Sequence, residues 1–405
     1  MIAVKEALER IVSQAPLMTA ESVGLSEATG RVLALDATSR RTQPPVDVSA
    51  MDGYAVRAGD AQTVPAELTL VGRAPAGGAY EGTVGPGEAV RIFTGGPVPA
   101  GADAIVLQED TEADGDQVRV LEAPTKGRHV RPAGVDFRTG QALLRAGRIL
   151  SSADIGLLAS MDRPWVDVRR RPRVCILATG DELVRPGEPI GPNQIISSNS
   201  VALQSLVKAH GGDGIDLGIA EDNEASLKAL AGGAKGADIL VTVGGASVGE
   251  HDLVQSVLGE IGLEVDFWKI AMRPGKPLIF GRFGDALMLG LPGNPVSAMV
   301  CANLFLVPLI RAMLGIDPVE LPRGIAALGR DLPANKARED YMRAFLSRHE
   351  DGSLVATPFD LQDSSVLSLF ALADALVVRP PHARASKAGD KVQILPLHER
   401  VPVKG

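Results

Sequence analysis

RVCILATG (residues 173–180) opens the stretch whose reading decides the fold, and it is followed by SNSVALQSLVKAHG (198–211), GIDLGIA (214–220), EASLKALAGGA (224–234) and ADILVTVGG (237–245). Short apolar runs of strand length alternate here with longer segments of helical spacing. HDLVQSVLGEIG (251–262), ALMLGLPGN (286–294) and PVSAMVCANLFLVPLIRAML (295–314) continue the rhythm. Such alternation predicts a parallel sheet flanked by helices, with ligand sites where strands end in Gly-rich loops.

Upstream, MIAVKEALERIVSQ (1–14) places Ile2, Val4, Ala7, Leu8 and Ile11 at helical spacing with charges between them, which predicts an amphipathic helix and not an export signal. From about residue 41 the pattern shifts to Pro, Gly and short runs rich in β-branched residues: AELTLVGRA (66–74), EAVRIFTGG (88–96), DAIVLQED (103–110) and DQVRVLEA (116–123). These read as an inserted β domain. SADIGLLASMD (152–162) reads as a helix with Ser151 or Ser152 at its N-cap. Beyond residue 318, YMRAFLSRH (341–349), GSLVATPF (352–359), ALVVRPP (375–381) and KVQILPL (391–397) suggest a small C-terminal β domain, with a short helix in SSVLSLFALADA (364–375). The expected fold class is therefore multidomain α/β plus β. Its parts are an N-terminal helical or mixed domain (1–40 with 141–171), an inserted β-rich domain (41–140), a central parallel-sheet α/β domain (172–318) and a C-terminal β domain (319–405).

A chain of 405 residues is too long for one core, and two to four domains of about 100 to 150 residues each are expected. A net charge of −8 with only 3% aromatic residues supplies neither the basic field nor the stacking side chains of a nucleic-acid binder, so no nucleic acid is expected as partner. No apolar run reads as a bilayer span, and no membrane is expected either. The two cysteines, Cys175 and Cys301, sit inside apolar runs without a CxxC or Cys/His cluster, which points to buried reduced thiols and a cytoplasmic address.

The loop Gly244-Gly245-Ala246-Ser247-Val248-Gly249-Glu250-His251-Asp252 lies between a strand and a helix, where small residues and free amides suit a phosphate. Its plain alternative is a tight turn capped by Asp252. Acids recur at the same strand ends: Asp181 and Glu182 after one strand, Glu221 and Asp222 after another. Beside a polyphosphate such acids suit Mg²⁺, which takes a few protein oxygens and keeps several waters. Glu182, Asp222 and Asp252 are the metal-shell candidates, with helix capping as the alternative. Arg273-Pro274-Gly275-Lys276-Pro277 sets two cations three residues apart on a constrained chain, suited to a small oxyanion or else only a solvated basic turn. Leu291-Pro292-Gly293-Asn294-Pro295-Val296-Ser297 joins a strand to a helix, with Pro295 in the first helical turn and Ser297 offering a hydroxyl. In the insertion, Asp52 and Thr94 stand in turn-rich contexts, where Asp-Gly by itself marks only a turn.

Taken together and in order, PPVDVSAMDGYAV (44–56), RIFTGGPVPAGADAIVLQE (91–109), ILATGDEL (176–183), GGASVGEHD (244–252), RPGKP (273–277) and LPGNPVS (291–297) resemble the signature segments of the molybdopterin molybdenumtransferase family, of the MoeA and gephyrin E-domain type. Weaker likeness covers nearly the whole chain. The resemblance implies a homodimer whose α/β domain is molybdopterin-binding and MogA-like, similar to the enzyme that adenylylates molybdopterin, with the active site completed by the partner's β insertion. The implied reaction places molybdate on the dithiolene sulfurs of adenylyl-molybdopterin and releases AMP, assisted by Mg²⁺. Catalytic roles carry over to Asp52, Thr94, Asp136, Glu182, Asp222 and Asp252. Substrate binding carries over to Gly244, Gly245, Ser247, Gly249, Arg273, Lys276, Pro292, Asn294, Pro295 and Ser297, with Arg343 and Ser364 from the C-terminal domain. A molybdopterin adenylyltransferase and molybdoenzyme chaperones are the handover partners it implies. Arg273 stands where Lys is common, which keeps the charge but changes its geometry, and Ala246 stands where Val is common.

Three rival functions follow from the same residues. Gly245-Ala246-Ser247-Val248-Gly249 satisfies the G-x-S-x-G pattern of a serine hydrolase, but His349, His382 and His398 all fall in the C-terminal β domain, away from the sheet that would carry a triad. A non-catalytic scaffold would not need these acids and cations. An adenylyltransferase would need only the α/β unit.

Overall fold

The computed structural model describes residues 1–75, 77–244 and 253–397. The chain divides into two compact units, one made of Met1–Glu21, Gly30–Ala34 and Val168–Gly405, the other of Ser22–Thr29 and Leu35–Asp167. Helix α1 (Val4–Ser13) belongs to the first. Its Val4, Ala7, Leu8 and Ile11 recur every three or four residues, and all four are buried in that unit's core.

The second unit is built on a six-stranded sheet. β1 (Gly53–Val56), β2 (Ala66–Ala74), β3 (Glu88–Ile92), β4 (Ala104–Leu107), β5 (Thr111–Asp114) and β6 (Gln117–Val120) run in the order β4-β1-β3-β2-β6-β5. Strand alternation sends Tyr54 and Val56 to a cluster with Leu68, Val106 and Val118, and Ala55 to the opposite cluster with Val90, Ile92 and Ile105. Both faces are therefore covered, and β1 is buried along its length. Helix α2 (Ser152–Ser160) starts at Ser151: the Asp154 amide donates to Ser151 Oγ, and the Ser151 amide donates to the Asp154 carboxylate at 2.9 Å. A capping box of this kind stabilises a helix end by about 1 kcal/mol.

The first unit carries the α/β layer. In chain order it contains β7 (Arg173–Thr179), α3 (Asn199–Ala209), β8 (Asp213–Ala220), α4 (Glu224–Ala231), β9 (Ile239–Val243), α5 (Leu253–Glu260), β10 (Leu263–Trp268), β11 (Met272–Arg273), β12 (Ile279–Phe283) and β13 (Ala286–Leu291). The sheet order is β8-β7-β9-β13-β12-β10. The first four strands are parallel, as expected from the sequence, but β12 runs antiparallel to both its neighbours, β13 and β10, so the sheet is mixed. The reason is local. Phe283 pairs with Ala286 across a two-residue Gly284-Asp285 turn, and only antiparallel neighbours can be joined by so short a connection.

Sheet faces divide the core. Val174, Ile176, Val241 and Leu289 look towards α1, α3 and the long helix after β13, whereas Cys175, Leu177, Leu240 and Met288 pack on α4 and α5. That long helix comprises α6 (Pro295–Cys301), a π turn (Ala302–Leu306) and α7 (Val307–Met313). Contrary to the sequence expectation, Pro295–Leu314 is long and apolar enough to cross a membrane by length and composition. Its most apolar window is 83% buried, so that apolarity is accounted for by the core.

The chain then forms β14 (Gly324–Leu328), β15 (Glu339–Arg348), β16 (Leu354–Pro358), α8 (Leu367–Ala371), β17 (Ala375–Arg379) and β18 (Lys391–Pro396). Their sheet order is β11-β15-β16-β14-β18-β17, and β15 also pairs with β17. Five strands thus close around Leu328, Leu346, Val377 and Ile394, which removes their free edges. β11 joins this barrel from the α/β side, with Arg273 level with Asp340.

Candidate functional site

From β7 the chain passes to β8 on one side and then to β9 on the other, so the crevice beyond the C-terminal ends of β7 and β9 is the topological switch point where such sheets bind ligands. Acids gather there. Asp181 and Glu182 follow β7, Asp222 follows β8, and the Asp222 amide donates to Asp181 Oδ1 at 2.8 Å. The Glu182 carboxylate folds back over Gly180: a Cβ built on that glycine would lie 2.5 Å from Glu182 Oε2, and φ is +147°. Burial, then repulsion from Asp181 and Glu182, pushes the Asp222 carboxyl above its ordinary range. Asp222 does not cap α4. Asn223 does, accepting from the Ser226 amide at 2.8 Å, so the capping alternative for Asp222 is set aside.

No three acidic, histidine or cysteine side chains are gathered as a metal cage among the described residues. Mg²⁺ does not require one, since it is commonly held by one or two carboxylates and by substrate phosphates. The repulsion between the exposed Asp222 and two neighbouring acids is one that a divalent cation would relieve.

At the end of β9, Gly244 has φ +94°, and a Cβ there would stand 2.6 Å from the Thr179 carbonyl oxygen, so the backbone approaches β7 closely. Gly245, Ser247, Gly249 and Asp252 lie outside the described residues. After β13, Pro292 is buried and Asn294 is exposed. Pro295 begins α6, and Ser297 is buried in the first turn, 5% exposed. Asn294 forms no cap with its side chain. Its amide donates instead to Ser364 Oγ at 3.1 Å, and the Val296 amide donates to the Ser364 carbonyl at 3.1 Å, which brings Ser364 from the barrel side to the mouth of α6. The Asn199 amide group donates to the Gly293 carbonyl at 2.7 Å from the start of α3. Sequence reasoning missed the polar groups beneath this edge. Thr179 Oγ1, Thr242 Oγ1, Ser200 Oγ and Asn199 Oδ1 are buried without a hydrogen-bond partner among the described residues, a costly arrangement that commonly marks a ligand or water site.

Arg273 is ion-paired with the buried Asp340. Lys276 lies nearby, lining a cavity of about 330 Å³. Arg343, 1% exposed, donates through Nη1 to the Val366 carbonyl at 3.0 Å and through Nη2 to the Leu361 carbonyl at 3.2 Å. Each terminal nitrogen keeps one further N–H, beside a smaller cavity of about 60 Å³ lined also by Arg273, Asp340 and Gln362. Burial holds the Arg343 guanidinium below its ordinary range.

In the second unit, Asp52 Oδ1 accepts from both the amide and the hydroxyl of Thr94, each at 2.7 Å. Those two bonds, helped by the charge of Arg91, hold the Asp52 carboxyl below its usual range. Arg91 itself is fixed between the rings of Tyr54 and Phe93, 5.0 Å from each, and donates to the Gly53 carbonyl at 3.0 Å. The ribbon around Asp52 is stitched to its neighbours: the Ser49 amide to the Gly96 carbonyl at 2.9 Å, and the Ala50 amide to the His129 carbonyl at 2.8 Å. Asp136 follows on the same set of loops, exposed, with its amide on the Gln43 carbonyl at 3.1 Å, and its carboxylate makes no bond to Asp52 or Thr94.

Three family models match the chain in order: "MoeA N-terminal region (domain I and II)" over residues 2–161, "Probable molybdopterin binding domain" over 175–312 and "MoeA C-terminal region (domain IV)" over 326–397. A molybdopterin molybdenumtransferase of Haemophilus influenzae is 35% identical over 402 residues, covering 98% of this chain and 99% of that protein. Another, from Nostoc, is 40% identical over 331 residues, covering 80% and 76%. A crystal structure of a molybdopterin biosynthesis MoeA protein from Pyrococcus horikoshii superposes with a TM-score of 0.86 at 32% identity, covering 99% of this chain and 100% of that one.

Proposed function

Because the chain belongs to the molybdopterin molybdenumtransferase family, we propose that it joins molybdate to adenylyl-molybdopterin at the C-terminal edge of the β7–β9 crevice, with release of AMP. It is a transferase of molybdenum cofactor synthesis, with molybdopterin as substrate and molybdate as the metal source. In this reading the amides of the loop from Gly244 to Gly249, with Ser247 among them, receive the diphosphate. Glu182 and Asp222, with Asp252, hold Mg²⁺. When bound there, the ion would supply charge neutralisation at the phosphoanhydride.

This chain's own groups do the positioning. Lys276, Arg343, Ser297, Asn294 and Ser364 hold the molybdate oxygens near the dithiolene sulfurs, and Pro292 and Pro295 fix the turn that presents them. Asp52 and Thr94, with Asp136, come from the β insertion of a second copy and orient the substrate, so the working form is a homodimer. No redox change is asked of the protein, and most of the rate gain comes from orientation and fixed charge. A cytoplasmic location, with a molybdopterin adenylyltransferase and molybdoenzyme chaperones as handover partners, belongs to the same proposal.

The observation that supports it most is Asp222 held beside Asp181 and Glu182 at the switch point, with the task of capping α4 left to Asn223. AMP release from adenylyl-molybdopterin is the test, with and without Mg²⁺ and molybdate, for the wild type and Asp222→Ala. Release that needs both ions and is lost in the variant supports the proposal. Release that ignores Mg²⁺, or survives in the variant, rules it out.

A further inference from the structure

The cavity beside Lys276 is lined by Arg273, Lys276, Lys336, Arg338, Asn335 and Asp340. Four cationic side chains, with Met1 beside them, face one carboxylate there, and that carboxylate is already taken. Asp340, with its side chain 7% exposed, pairs with Arg273 from the next strand of the barrel. An incoming anion would have to compete with a buried carboxylate for Arg273, whereas Lys276, Lys336 and Arg338 have no ion-pair partner among the described residues. Among the side chains lining the cavity, the uncompensated positive charge therefore resides on those three.

The loop that carries two of them is held in place before any ligand arrives. Asn335 Nδ2 donates to the carbonyls of Arg338 (2.8 Å), Arg379 (3.0 Å) and Pro380 (2.9 Å), and Asn335 Oδ1 accepts from the Lys336 amide at 2.8 Å. The Lys336 carbonyl accepts from the His382 amide at 2.8 Å, and the buried Arg379 donates to the Pro333 carbonyl at 3.1 Å. Fixing a loop in advance lowers the ordering cost of binding.

We propose that Lys336 and Arg338, together with Lys276, take up the tetrahedral dianion substrate in this cavity, and that Arg273 serves as a wall held by Asp340 and not as an anion ligand. The assignment rests on the reading of the Arg273–Pro277 segment as the molybdate side of the site, and it adds two residues from outside every motif of the sequence while removing one from inside.

Titration calorimetry of the full-length protein with molybdate, and with sulfate as a second tetrahedral dianion, tests it. Replacing both residues (Lys336→Ala with Arg338→Ala) should weaken molybdate binding roughly tenfold or more and flatten its dependence on salt, as expected when charges near a dianion are removed. The charge-keeping pair Lys336→Arg with Arg338→Lys should bind within about threefold of the wild type, a difference of roughly half a decade. Removing both members of the wall, Arg273→Gln with Asp340→Asn, should also change affinity little. Wild-type affinity in the Lys336/Arg338 alanine variant, with binding lost in Lys276→Ala, would overturn the inference and leave the molybdate site where the motif puts it. No molybdate binding by the wild type, with or without adenylyl-molybdopterin, would instead remove the reading underneath. Should the double alanine variant not fold, the exposed Lys336→Gln alone carries the comparison, with a loss of about threefold or more expected for one charge.

Discussion

A single residue, Thr94, supplies both hydrogen bonds that hold Asp52. Thr94→Val keeps the amide and removes the hydroxyl, and AMP release should fall about tenfold to a hundredfold if Asp52 orients substrate, with molybdate affinity unchanged by calorimetry. The Asp222 carboxyl is shifted in the opposite direction. Its carboxyl is pushed up by burial and by Asp181 and Glu182, so the folded chain binds that proton more tightly than the unfolded chain does. The group's contribution to stability is present below the ordinary carboxylate range and is lost as pH rises through the elevated value. At neutral pH Asp222→Asn should therefore melt slightly higher than wild type by differential scanning fluorimetry, by about a degree or two as for other surface-charge changes, while losing Mg²⁺-dependent turnover. The placement of Asp222 and Glu182 at the C-terminal edge of the sheet was legible in the sequence because acids recur at consecutive strand ends. Lys336, Arg338 and Asp340 were not, because what matters is their closeness to a segment more than sixty residues earlier, which no local spacing encodes.

Between strand and loop, Arg343 acts as a staple. From β15 it reaches the carbonyls of Leu361 and Val366 and the side chain of Gln362, fixing the segment that ends in Ser364 and α8. Arg343→Ala would leave those acceptors unpaired around a hole, and a loss of about 3 kcal/mol is expected, read as a lower denaturation midpoint in urea. Arg343→Lys should recover part of it. Regular elements were read correctly where one periodicity dominated: α1 by its three-to-four spacing, β7 and β9 by unbroken apolar runs. β10 and β12 were missed because LEVDFW alternates weakly and IFGRF carries a glycine and an arginine, so neither run announces a strand until the two-residue turn after Phe283 pairs β12 with β13.

On the scale of the molecule, Asp52 and Thr94 lie in one compact unit and Glu182, Asp222, Lys276 and Arg343 in the other. If a second copy's insertion completes each site, mixing Asp52→Ala and Asp222→Ala proteins after subunit exchange should restore about a quarter of wild-type AMP release, because half the dimers then hold one intact site of two. If each chain works alone, the mixture stays as inactive as its parts. The two buried cysteines report on the fold itself. Cys175 lies on the α4–α5 face of the sheet and Cys301 on the opposite face, where its thiol donates to the Gly275 carbonyl and burial pushes its pKa up. Neither thiol is available to an alkylating reagent while its layer is closed, so their labelling rates in mild denaturant act as two independent clocks. Equal rates would mean that the two layers open in one cooperative event. Faster loss of Cys175 would mean that the α4–α5 layer peels away while the helix that carries Cys301 stays shut.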